Sequence, residues 1–244
     1  MAKYKIYPLH LGTINRECSN MLYRTRPGTK VDFPLIAYYV TDGKNGIVVD
    51  TGAFVPDNEF QPAGKPNGPY WQPLDQRIDN QLKKLGVNCD DIRTVVLTHL
   101  HWDHAGSCHF FKNAKFIVQK KELDYAQHPL KIHQFPYRLD EFMDLDMEVV
   151  DGDVPIGDGL KLILTPGHSP GSQTLLVDTE DGVYALTGDL VNTRECWESD
   201  PKIANGYHTD LIVHYQSFEK VEAVADHILE GHEIAVFDHE CYPF

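Results

Sequence analysis

The 244-residue sequence predicts a layered domain of mixed α-helix and β-strand. Two observations carry that prediction. Short apolar or alternating runs bounded by glycine, proline or Asp-Gly pairs recur along the chain, and strand runs are twice followed by a segment whose apolar residues have helical spacing.

Taken in order, Lys5 to Leu11, Leu35 to Thr41 and Gly46 to Val49 read as strands, the last two joined by a turn at Asp42-Gly43-Lys44-Asn45-Gly46. Asp50-Thr51-Gly52 closes the third. From Phe54 to Pro73, five prolines and two glycines forbid helix and inner strand. The result is a long loop in which Phe54, Phe60, Tyr70 and Trp71 offer an aromatic roof for a pocket. Leu74, Ile78, Leu82 and Leu85 repeat at helical spacing, with Gly86 as the stop. Thr94 to Leu97 is an apolar strand, Lys115 to Gln119 another, and Lys120 to Ala126 a short helix. His128 to Asp140, rich in proline, histidine and aromatics, is a second loop. Met147 to Val150, Leu160 to Leu164, Thr174 to Val177 and Val183 to Leu186 are short strands, and Asn192 to Tyr215 is a third loop. Phe218, Val221, Ala225, Ile228 and Leu229 mark an amphipathic helix from near Ser217 to a cap at Gly231, and Glu233 to Phe237 reads as a last strand.

This length can bury one full core, and no composition break divides it, so a single domain over residues 1–244 is expected. The start lacks a continuous apolar segment, and no run reaches the 18 or more residues of a membrane span, which implies a soluble cytoplasmic protein with no membrane partner. Five cysteines, odd in number, far apart and without a CxxC pair, indicate neither a disulfide frame nor a zinc ribbon. A formal net charge of -14 repels a phosphate backbone and argues against nucleic acid. A small-molecule substrate fits better, and the aromatic loops are candidate faces for a homodimer.

The densest chemistry is Thr98-His99-Leu100-His101-Trp102-Asp103-His104-Ala105-Gly106, directly behind an apolar strand. Imidazole nitrogen and carboxylate oxygen are ligands of zinc and similar divalent ions, and alternation in an extended segment turns His99 and His101 to one side. Asp103 and His104 follow where the chain must turn, so they suit a second ion. Further candidates sit just past predicted strands: His168 in Thr165-Pro166-Gly167-His168-Ser169-Pro170-Gly171, and Asp189 in Thr187-Gly188-Asp189. Gly231-His232-Glu233 and Asp238-His239-Glu240 compete for the last place. Position relative to the predicted strand Glu233 to Phe237 favours His239 and leaves His232 on the surface.

The motif His99-Leu100-His101-Trp102-Asp103-His104 resembles the HxHxDH signature of the metallo-β-lactamase superfamily. Together with Thr-Pro-Gly-His-Ser-Pro-Gly-Ser-Gln and the overall length, the chain most resembles its N-acyl homoserine lactonases and the related 4-pyridoxolactonase. The resemblance implies an αββα sandwich, two mixed sheets flanked by helices. It implies two metal ions, with His99, His101, Asp103, His104, His168, Asp189 and His239 as ligands and Asp189 bridging. It also implies that Asp50 helps orient the metal-site histidines, where pattern alone reads a strand-end turn. The position three residues after the bridging Asp, a substrate-contacting Tyr in the homoserine lactonases, is Asn192 here, with Tyr207 and Tyr215 as substitutes from the same loop.

Two ions roughly 3.5 to 4 Å apart share a water and lower its pKa toward about 7, giving a hydroxide that attacks a carbonyl. The expectation is a dinuclear zinc hydrolase that opens a lactone, with Asp103 passing a proton to the leaving group and acyl homoserine lactone as the leading substrate. Its alternatives are a thioester, a linear ester or a cyclic amide. Retention of His101, where oxygen-reducing di-iron members carry Glu, favours zinc.

Overall fold

The structure, a computed structural model, describes residues 3–54, 60–61 and 69–244. Strands β1 (Lys5–Glu17), β2 (Lys30–Thr41), β3 (Gly46–Val49), β4 (Phe60–Gln61), β5 (Tyr70–Trp71), β6 (Thr94–Val96), β7 (Lys115–Gln119) and β8 (Met147–Val150) form one sheet in the order β4-β5-β1-β2-β3-β6-β7-β8. Strands β9 (Val154–Gly157), β10 (Leu160–Leu164), β11 (Gln173–Thr179), β12 (Gly182–Leu186) and β13 (His227–Leu229) form the second, in the order β13-β12-β11-β10-β9. Both are mixed: β3, β6, β7 and β8 run parallel, as do β12 and β13, and the other pairs are antiparallel. The helices are α1 (Cys18–Met21), α2 (Ile78–Lys84), α3 (Trp102–Ala105), α4 (Lys120–Gln127), α5 (Leu139–Phe142), α6 (Arg194–Glu198) and α7 (Leu211–Glu222).

The period of two along each strand sorts its residues into two cores. Ile36, Tyr38 and Val40 of β2 and Val96 of β6 face the second sheet, where they meet Leu160, Leu162, Leu175, Val177 and Leu186. Their neighbours Leu35, Ala37 and Val95 face the opposite way, into the core that also holds Ile78 and Leu82 of α2. Because both faces of β2 are covered, its middle reads as a continuous apolar run rather than an alternation. Phe218 of α7 is 2% exposed, so Phe218→Ala should cost about 3–5 kcal/mol. Among the described residues, no helix is long and apolar enough to cross a membrane.

Several expected boundaries move. Strands β1 and β2 are longer than the pattern implied, paired from Lys5↔Thr41 to Glu17↔Lys30 with an irregularity between His10 and Thr13. Gly12 lies there at φ 115, and a Cβ on it would stand 2.4 Å from the Trp71 carbonyl oxygen, so only glycine lets β5 approach. The third loop holds α6 and the start of α7, which begins at Asp210, whose side chain accepts from the Val213 N–H, and not near Ser217. Of the first loop, residues 55–59 and 62–68 lie outside the described residues, as does the Phe60 side chain. Tyr70 is core rather than roof: its hydroxyl donates to the Leu11 carbonyl at 2.8 Å.

The C-terminal reading needs correction. The helix ends at Glu222, His227–Leu229 is a strand paired in parallel with Tyr184–Leu186, and Ile234–Asp238 is a 3₁₀ turn rather than a strand. Asp226 fixes the change of direction, its Oδ2 accepting from the Val183 N–H at 2.9 Å. Ile228 and Leu229 continue the helical spacing of Phe218 and Val221 by coincidence of sequence, and cross-strand pairing with β12 overrides it.

Candidate metal centre

Each element delivers its side chain just past a strand end. His99 and His101 follow β6, His168 follows β10, Asp189 follows β12, and His232 follows β13. Asp103 and His104 lie on the short helix α3, and His104 still packs against His99, with ring centroids 4.1 Å apart, and shares a group with it and Asp189.

Three imidazoles form a first cluster. His168 Nε2 lies 3.2 Å from His99 Nε2 and 3.0 Å from His101 Nδ1. The second cluster joins Asp103, His104 and His232. Asp189 stands between the two: its Oδ1 is 3.0 Å from Nε2 of His104 and 3.0 Å from Nε2 of His232, and its Oδ2 is 3.3 Å from Nε2 of His168. His104 Nε2, His232 Nε2 and Asp189 Oδ1 are buried and lack a hydrogen-bond partner. Ligand-type atoms crowded together without a well-formed hydrogen bond are what a divalent cation satisfies, so both clusters fit a metal ion.

The outer nitrogens fix which lone pair points inward. His104 Nδ1 lies 2.7 Å from Asp50 Oδ2, His168 Nδ1 2.7 Å from the Tyr207 carbonyl oxygen, and His232 Nδ1 2.8 Å from the Pro34 carbonyl oxygen. A proton on each Nδ1 leaves Nε2 free to ligate. Asp50 also accepts from the Thr98 N–H at 2.7 Å and the Thr98 hydroxyl at 2.8 Å, and it holds the left-handed conformation at φ 59. Local strain of that kind persists where surrounding contacts over-determine it.

Charge differs between the clusters. Burial, then the neighbouring imidazoles, hold His99 and His101 well below the ordinary histidine range, and burial lowers His168 as well. Burial also opposes charge on His104, yet Asp50 and Asp189 hold it well above that range, and Asp189 raises His232 in the same way. Against burial, His232, His104 and His168 keep Asp189 well below the usual carboxylate range.

Two sequence expectations fail. His239 is not among the ligand-type residues that converge; its ring stacks on Phe244 at 3.7 Å between centroids. His232, 1% exposed, converges with Asp103 and His104 instead. It too follows a strand, β13. Asn192 is fully buried, donates to the Met21 carbonyl at 2.7 Å and accepts from Asn205 Nδ2 at 2.9 Å, so its amide is engaged away from the cleft. Tyr215 is committed too, donating to the Lys202 carbonyl at 2.7 Å.

A cleft of about 300 Å³ opens over His101, Asp103, His168 and Asp189. The second and third loops contribute Phe135, Pro136 and Tyr207, as their aromatic composition suggested. Ile14, Arg16, Asn20 and Met21, from β1 and its continuation, also line it, and nothing in their local sequence marks them. Arg16 places a cation in a wall expected to be apolar and aromatic. Asn205 was equally unmarked: its Nδ2 donates to Asp189 Oδ2 at 3.3 Å and its Oδ1 accepts from the Tyr207 N–H at 2.9 Å, which ties the cleft wall to the bridging carboxylate. Cys108 is buried against the Thr51 hydroxyl at 3.6 Å, a packing role.

A family model described as the metallo-beta-lactamase superfamily matches residues 36–229. The chain is 30% identical over 251 residues to an N-acyl homoserine lactonase of Bacillus sp, spanning 98% of this chain and 94% of that protein. It is 30% identical over 256 residues to N-acyl homoserine lactonase AttM of Rhizobium radiobacter, spanning 96% and 94%. Among solved structures, an AiiA variant of B. thuringiensis with N-decanoyl-L-homoserine at its active site superposes with a TM-score of 0.83 at 29% identity, covering 98% of this chain and 96% of that one. An N-acyl homoserine lactone hydrolase with N-hexanoyl-L-homoserine at its catalytic metal centre gives the same TM-score of 0.83.

Proposed function

The chain belongs to the metallo-beta-lactamase superfamily, and on that premise we propose that it is a dinuclear metal-dependent hydrolase that opens a lactone, with N-acyl homoserine lactone as the leading substrate. The observation that carries the reading is Asp189, whose two oxygens face two separate histidine clusters at 3.0 to 3.3 Å. His99, His101 and His168 would hold one ion, Asp103, His104 and His232 the other, and Asp189 both; five imidazoles and two carboxylates suit zinc. When bound, such a pair supplies Lewis acidity, polarising a carbonyl oxygen and lowering the pKa of water toward about 7.

The chain's own residues do the rest. Burial keeps the three first-cluster imidazoles neutral, which is the ligating form. Phe135, Pro136, Trp102 and Tyr207 line the open cleft and offer an apolar bed to an acyl or ring substituent. Asp103, which lines the cleft beside His104, is placed to take the proton shed by the attacking water and pass it to the alkoxide oxygen released when the ring C–O bond breaks. Asn205 fixes the bridging carboxylate. The two ions as zinc and a cytoplasmic location, the latter supported by five unpaired thiols, belong to the same proposal.

A pH-indicator assay on zinc-loaded protein, comparing short- and long-chain acyl homoserine lactones with aromatic lactones, simple esters and a glutathione thioester, tests the reading. Turnover fastest on a lactone is expected. A thioester or simple ester hydrolysed orders of magnitude faster than every lactone would leave a dimetal hydrolase and remove the lactonase.

A further inference from the structure

Behind the first cluster lies a fully buried acid that plays no part in the chemistry above. Glu122, in the first turn of α4, has no solvent exposure, and its carboxylate receives four donors. Oε1 accepts from the Leu100 N–H at 3.0 Å and the Tyr137 hydroxyl at 3.2 Å; Oε2 accepts from the Ser169 hydroxyl at 2.5 Å and the Gly171 N–H at 3.1 Å. Leu100 lies between His99 and His101, and Ser169 follows His168. One side chain therefore holds both segments that supply the first cluster.

The surroundings are built for this contact. A Cβ on Gly171 would stand 2.1 Å from the Glu122 backbone nitrogen, so glycine there lets the His168 loop rest directly on the start of α4. Tyr137 packs its ring on His101 at 4.7 Å between centroids while its hydroxyl reaches Glu122. Burial pushes the carboxyl above its ordinary range, and all four donors pull the other way. Each oxygen accepts from one backbone N–H, a donor that cannot reverse its role, so both oxygens are committed as acceptors.

We propose that Glu122 is a positioning residue for the first metal site: it sets the segment His99–His101 and the His168 loop at the separation at which three imidazoles close on one ion. The inference rests on the dimetal reading of the centre.

The test is zinc affinity by chelator competition on metal-stripped protein, with the visible spectrum of the cobalt(II)-substituted form as a report of ligand geometry. Glu122→Gln sets an NH2 group against one of the two backbone N–H donors, Leu100 or Gly171. It should weaken one of the two ions 10- to 100-fold and alter one cobalt band set, while the other ion stays within about threefold. Ser169→Ala and Tyr137→Phe each remove a single donor and should weaken the same ion by about threefold or more. If Glu122→Gln lowers only the thermal midpoint of the metal-free protein and both ions bind as in the parent, the role is structural and the proposal fails. Should Glu122→Gln not fold, the two milder variants decide, and unchanged affinity in both overturns it. Failure of the parent protein to take up two ions would instead sink the dimetal reading itself.

Discussion

The two halves of the centre hold their imidazoles by opposite means. In the first, His99, His101 and His168 are kept neutral by burial and by one another, and the outer partner of His168 is an uncharged backbone carbonyl. In the second, Asp50 behind His104 and Asp189 in front of it favour the imidazolium, and Asp189 does the same for His232. The first half is ready to ligate, whereas the second must exchange a proton for its ion. Two sets of similar ligands thus differ in how they answer to pH and to loss of a partner.

The largest effect should come from His101→Ala, which removes a first-cluster ligand outright. It should abolish retention of one ion, seen by elemental analysis, and lower kcat by more than the 10- to 100-fold typical of losing an outer partner. His232→Ala should do the same to the second half, while His239→Ala, whose ring packs on Phe244 and Tyr242, should stay within about 0.5 kcal/mol of the parent in stability and keep both ions. The reverse result would show that the chain's C-terminal path differs from the one described.

Asp50→Asn sharpens the contrast, because asparagine accepts the left-handed backbone but offers His104 a weaker acceptor. Affinity for the second ion should fall 10- to 100-fold, and that for the first by less, through the Asp50 contacts to Thr98 beside His99. Asn192, coupled through Asn205 to Asp189, is shared by both halves. Sequence resemblance suggests that Asn192→Tyr would leave lactone turnover intact or raise it. The buried site argues otherwise: the larger ring should overpack it and lose about 1–3 kcal/mol in urea unfolding, with kcat reduced. The smallest signal is in protons. With their pKa values raised, His104 and His232 carry protons in metal-stripped protein below those values and shed them as pH climbs through them. Calorimetric titration with zinc in buffers of different ionisation enthalpy should therefore show net proton release at neutral pH that shrinks as pH rises. Release that does not change with pH would contradict the charge difference between the halves.

The contiguous half was legible. Four ligand-type residues, three histidines and an aspartate, within six positions behind an apolar strand point to metal chemistry by spacing alone, and the short apolar or alternating runs gave most strands to within a residue or two. Asp189 and His168 were legible because glycine- and proline-marked turns after clear strands announce an aimed side chain. Two ligand-like histidines seven residues apart gave no such advantage. Choosing between His232 and His239 required knowing that His227–Leu229 leaves the helical pattern to pair with β12, a long-range contact that local periodicity does not encode. Resemblance likewise pointed to Asn192 as a substrate contact, and only its hydrogen bonds to residues 171 and 13 positions away show it turned inward.

By itself, then, the sequence determined the layered class, the metal motif and the type of chemistry, since residue spacing and chemical type are local properties. Tertiary structure decided which distant groups meet: Asp189 between two clusters, Asp50 behind His104, Glu122 beneath both first-cluster segments, and Arg16 and Met21 in the cleft wall. Those contacts depend on sheet order and on how loops close across it, and burial makes a displaced polar group costly enough, about 1–3 kcal/mol each, that the fold holds one arrangement.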